Sequence, residues 1–98
     1  MFLILLKYEF GLKVTDKEVE AHRNFLDKHY SLNKFICSGA KYPDTGGVIL
    51  CNAESIEEVR QIITKDSFYK NPAIEYDIIE FMPSKYAAAF EPFIKKQN

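Results

Sequence analysis

The chain lacks any block of five or six like charges, and its 13 Lys and Arg stand against 14 Asp and Glu. A nucleic-acid partner would therefore find no electrostatic footprint. No apolar run approaches the ~20 residues that a membrane helix requires. The longest candidate, Phe2 to Leu6 in "MFLILLKYEFG", has no positively charged flank and no small-residue cleavage site. It reads as a buried strand, and a cytoplasmic protein without a membrane partner is expected. Cysteine is scarce. Cys37 and Cys51 lie in the apolar runs "KFICSG" and "GGVILCNA", outside any CxxC motif and without a His-x-x-His neighbour. Two buried, reduced thiols are expected, and no metal site. The glycines do not follow a strand and open a helix, so no phosphate loop is implied. Ser38 has no Gly-x-Ser-x-Gly setting, which removes support for a nucleophile elbow. Linkers, repeats and low-complexity stretches are also missing, and 98 residues suit one domain.

What is present is a clear succession of elements. Hydrophobic residues make up 47% of the chain, ample for a core. The first strand runs from Phe2 to Tyr8, apolar on both faces. Thr15 with Glu18 forms a capping-box pattern, and Val14 with Val19 a hydrophobic staple. The helix they open runs to about Tyr30, where "SLN" breaks it. A second strand, about Lys34 to Ser38, and a third, about Val48 to Asn52, form a hairpin around "GAKYPDTGG". Gly46 and Gly47 serve that hairpin through positive φ or close backbone approach. Ser55 with Glu58 repeats the capping-box pattern, and Ile56, Val59, Ile62 and Ile63 recur at helical spacing to about Lys65. A last strand, about Ile74 to Phe81, places Ile74, Tyr76 and Ile78 on one face and Glu75, Asp77 and Ile79 on the other.

The order β-α-β-β-α-β is the ferredoxin-like arrangement, an α+β fold in which two helices cover one face of a four-stranded antiparallel sheet. Val19, Phe25, Leu26, Ile56, Val59, Ile62 and Ile63 should pack against that sheet. Its other face would be apolar and open, so a homodimer that packs sheet on sheet is expected, with a cavity for a small molecule between subunits. Residues 84–98, "SKYAAAFEPFIKKQN", form a separate tail. Its Ala87 to Ala89 favour a short helix before Pro92, and its aromatics should dock on the body or on a partner subunit.

Two histidines remain. His22 falls within the apolar stripe Val19, His22, Phe25, Leu26 and Tyr30. It is either a hydrogen-bonded structural residue or a catalytic one. His29, near the helix end, should stay solvated and favoured by the helix dipole. Asp66 follows the second helix, where a carboxylate meets the negative end of the dipole. It either caps the turn "SFYK" or meets a histidine, whose tautomer it would fix. Ser38 could satisfy its own loop or bond a substrate. Tyr8 could line the same pocket or be an ordinary strand residue.

The segments "MFLILLKYE", "AHRNFLDK", "CSGAKYPDTGGVILCNAESIEEV" and "KDSFYKNPAIEYDIIEFMP", in that order, resemble the YCII family, the YciI-like proteins, over about residues 1–83. The resemblance implies a dimeric α+β barrel of ferredoxin-like fold. It also implies an acid–base pair falling on His22 and Asp66, and a Ser-Gly pair on Ser38 and Gly39. It implies no cofactor. One branch of the family is associated with dehydrochlorination of an aromatic substrate. Elimination, isomerisation or proton abstraction on a small cyclic or aromatic compound is thus the expected chemistry. A non-catalytic dimer that binds a small molecule or a protein is the alternative. The family usually has proline after the Asp and often after Ser-Gly. This chain has Ser67 and Ala40 there, which should soften both turns.

Overall fold

A computed structural model describes residues 1–94. Strands β1 (Phe2–Tyr8), β2 (Phe35–Ala40), β3 (Gly46–Cys51) and β4 (Ile74–Glu80) form one sheet in the order β2-β3-β1-β4, with every neighbour antiparallel. Helices α1 (Asp16–Ser31) and α2 (Ile56–Ile63) cover one face, which gives the ferredoxin-like α+β fold. Two short 3₁₀ segments follow, Ser67–Lys70 and Ala88–Phe93.

Local chemistry sets the ends of the helices. Thr15 Oγ1 accepts from the Glu18 N–H at 3.0 Å, while the Glu18 carboxylate takes the Thr15 N–H at 3.3 Å, which completes the capping box. At α2, Ser55 Oγ accepts from the Glu58 N–H at 3.2 Å, but the Glu58 carboxylate takes the Glu54 N–H at 2.7 Å and meets Lys34 Nζ at 3.0 Å. The cap is therefore built one residue early, and an ion pair ties it to the start of β2.

β1 is buried along Phe2, Ile4 and Leu6, which face the helices. Ile49, Cys51 and Ile74 continue that layer from β3 and β4, and Phe25, Val59, Ile62, Ile63 and Phe68 close it from above. Val19 and Leu26, expected in the core, are only half-buried because they wall a cavity under α1. Ile56, at the first turn of α2, is also half-buried. The opposite face carries Leu3, Leu5, Val48, Leu50 and Ile79, as β1 pairing and the β4 alternation dictate.

Register explains the corrections. The hairpin strands reach further than expected, so the loop between β2 and β3 is only 41–45. Gly46 is buried, and a Cβ there would overlap the Leu6 carbonyl of β1, so close backbone approach is what requires glycine. A bulge between Phe35 and Cys37 shifts the pairing of β2. Cys37 consequently lies opposite Leu50 on the open face and is exposed, while Cys51 is buried as expected. His29 is not solvated but buried. It follows Phe25 by one turn, its Nδ1–H donates to the Phe25 carbonyl at 2.8 Å, and Phe25 and Phe35 enclose its ring. The tail has a 3₁₀ turn that includes Pro92, and its Phe93 carbonyl accepts from Asn52 Nδ2 at 3.0 Å. Residues 95–98 lie outside the described residues.

Candidate active site

Asp66 starts the 3₁₀ turn after α2 and serves it as an N-cap. Its Oδ1 accepts from the Phe68 N–H at 3.1 Å. The same oxygen accepts from His22 Nδ1 at 2.7 Å, across 44 residues of chain. Its other oxygen, Oδ2, accepts from the Tyr76 hydroxyl at 2.6 Å. Both sequence readings of Asp66 are thus realised at once: it caps the turn and it meets the histidine. The carboxylate is fully buried, and three donors from three elements satisfy it.

The His22 ring is held from beneath as well. It lies on Phe68 with ring centroids 4.1 Å apart and planes within 6°. Ser67, where the family usually has proline, donates its hydroxyl to the Glu18 carbonyl of α1 at 2.8 Å. The expected softening of that turn is therefore offset by a hydrogen bond between the turn and the helix. The loss at position 40 is absorbed differently, because Ala40 remains in β2 opposite Gly47.

In the neutral ring, an Nδ1–H that donates to the carboxylate leaves the lone pair on Nε2. His22 keeps 16% of its side chain exposed and lines a cavity of about 390 Å³. No group among the described residues bonds Nε2. The cavity lies within a single chain, between α1 and the helix-covered side of the sheet. Leu6, Val19, Leu26, Ile49 and Phe68 give it apolar walls, and Tyr8, Arg23, Ser38 and Asp44 supply polar groups.

The sequence-derived candidates converge here. Tyr8, His22, Ser38 and Gly39 all line the cavity, with Asp66 behind His22. Ser38 Oγ meets the Tyr30 hydroxyl of α1 at 2.5 Å, so its hydroxyl is oriented by the helix rather than by its own loop. Gly39 has nothing within 4 Å of the place a Cβ would take. The Tyr8 phenol is pushed above its usual range, first by burial and then by the charges of Asp44 and Asp66. Tyr76 is pushed up much further, by burial and by its bond to Asp66, so it stays a proton donor. Sequence reasoning missed Tyr76, Tyr30, Phe68 and Arg23. The one signal for Tyr76 was a hydroxyl on the inward side of an alternating strand.

The comparisons agree with this geometry at the level of fold and family. No curated protein matches the sequence. A solved structure of 5-chloro-2-hydroxyhydroquinone dehydrochlorinase from Burkholderia phenoliruptrix AC1100, in complex with 2,5-dihydroxybenzoquinone, superposes with a TM-score of 0.64 at 20% identity. The match covers 83% of this chain and 93% of that one. The pattern of the YCII-related domain matches residues 1–82, which leaves out only the tail. The chain belongs to the YCII family.

Proposed function

We propose that the cavity under α1 is an active site in which His22 and Asp66 form an acid–base pair acting on a small cyclic or aromatic compound. Nε2 of His22 takes a proton from the ligand, and Asp66 orients the ring and stabilises the imidazolium that forms. In an elimination, the electron pair of the broken C–H or O–H bond becomes a new double bond. The leaving group departs with its own electrons, and the imidazolium returns its proton to water. In an isomerisation, the same proton goes back to another atom of the ligand. Ser38 and Tyr8 supply hydroxyls to ligand oxygens, and Gly39 keeps that wall low.

The observation that carries the reading is the asymmetry of the His22 ring: Nδ1 bonds a buried carboxylate at 2.7 Å, while Nε2 has no partner among the described residues and the residue lines the cavity. A purely structural histidine in the core has both nitrogens satisfied by protein or ordered water, and here Nε2 has no protein partner among the described residues. The dehydrochlorinase of similar fold, solved with a hydroxylated quinone, suggests the first compounds to try. Chlorinated and hydroxylated hydroquinones are offered to the parent protein and to His22→Asn, with chloride release and solvent-deuterium incorporation as readouts. Turnover that disappears in a folded His22→Asn variant supports the reading. Turnover unaffected by that change refutes it. Tight binding of a panel member with no turnover at all points instead to a binding module. The apolar open face, with Leu3, Leu5, Val48 and Leu50, supports pairing of two chains sheet to sheet.

A further inference from the structure

We propose that Tyr76 is a positioning residue for the pair: its hydroxyl holds Oδ2 of Asp66 so that Oδ1 stays on Nδ1 of His22. The inference rests on the reading of this cavity as an active site, and it extends the pair to a third member that comes from β4. Tyr76 sits on the helix-facing side of that edge strand, between the half-buried Ile78 and the buried Ile74. Its bond to Asp66 measures 2.6 Å.

A carboxylate can turn about its Cβ–Cγ bond and exchange its oxygens. Here Oδ1 is fixed by the Phe68 N–H and the His22 ring together, and Oδ2 has Tyr76. Without the phenol, Oδ2 would be a buried acceptor with no partner, and the negative charge would fall more heavily on Oδ1. The phenol thus shares the carboxylate's charge and limits how strongly Asp66 attracts a proton onto the imidazole. Other groups around the pair are Arg23 from α1, Tyr8 from β1, Asp44 from the loop 41–45 and Tyr69 from the 3₁₀ turn. Of the tyrosines, only Tyr76 bonds the carboxylate directly. The Tyr69 ring stands 6.0 Å from that of Tyr76 and is about half exposed, which makes it a nearby control.

The test follows the imidazole signals of His22 by NMR as pH is varied, in full-length protein and without substrate. In Tyr76→Phe the His22 midpoint rises. Site-specific replacement of Tyr76 by 3-fluorotyrosine, a stronger donor, moves it the other way. Tyr69→Phe leaves it in place. Once a substrate is in hand, the acid limb of the pH–rate profile shifts in the same direction as the midpoint. A Tyr76→Phe protein that melts earlier with an unmoved His22 midpoint makes Tyr76 a mere tie between β4 and the turn, and overturns the proposal. So does a downward shift in that variant. Should Tyr76→Phe fail to fold, the fluorinated protein decides alone, because its ring keeps its size and hydroxyl. The midpoint is read without turnover, so failure of this inference is distinguishable from failure of the proposed activity.

Discussion

Removing the Asp66 carboxylate tests the whole arrangement by stability, before any substrate is known. In Asp66→Ala three donors lose their acceptor: the Phe68 N–H, the Tyr76 hydroxyl and His22 Nδ1. The His22 ring, 16% exposed, can turn to water, whereas the other two remain inside. Each stranded donor costs about 1–3 kcal/mol, so the variant loses about 2–6 kcal/mol. That is a large part of the ~5–15 kcal/mol that holds a domain of this kind together. At ~4–8 °C per kcal/mol, Tm falls by at least ~8 °C. Asp66→Asn behaves differently. The Phe68 N–H pins the amide oxygen in the place of Oδ1, and Nδ2 can donate to the Tyr76 oxygen. All three contacts survive at neutral strength, so the loss is smaller than in the alanine variant. Urea unfolding followed by circular dichroism at neutral pH ranks the parent above Asn and Asn above Ala. An alanine variant within about 0.5 kcal/mol of the parent, the range of an ordinary surface change, refutes the reasoning. An asparagine variant as unstable as alanine does so too.

Three further outcomes are expected. Gly46→Ala forces a methyl group into the Leu6 carbonyl and costs about 1–3 kcal/mol, by urea midpoint; Gly47→Ala, which meets only ordinary contacts of 3.5 Å or more, costs far less. Tyr8 and Tyr76 hold their protons more tightly in the fold than in the unfolded chain, where phenols ionise near ~10. Stability from this source is complete below pH ~10 and declines as pH climbs above it, and Tyr76→Phe flattens the decline in urea midpoints taken at rising alkaline pH. Sedimentation at micromolar concentration gives twice the 11.4 kDa chain mass, and a clean monomer sinks the pairing through the open face.

The elements were legible because their signals are local. Thr15 with Glu18 and Ser55 with Glu58 mark helix starts within four residues, and β4 alternates visibly. What stayed hidden depends on partners far away in the chain. His29 is buried because Phe35 of another element closes over it, and Cys37 turns outward because one extra residue slips the ladder of β2. Nothing in the local spacing separates a core histidine from a catalytic one, so the pairing of His22 with Asp66 came from family likeness and not from periodicity. Tyr76 escaped both routes. Its role depends on a carboxylate brought to it by the turn after α2, and a tyrosine in a strand is unremarkable by itself.

The fastening of α1 to the turn Ser67–Lys70 has a consequence for how a ligand is received. The Ser67 bond to the Glu18 carbonyl, the His22–Asp66 bond and the stacking of His22 on Phe68 join the same two segments side by side. No single bond has to hold the register alone. The pair is therefore assembled before anything enters the cavity, and none of a ligand's binding free energy goes into drawing the two side chains together. Under the proposed function, that free energy is left for the ligand's own orientation against the wall formed by Tyr8, Ser38 and Gly39.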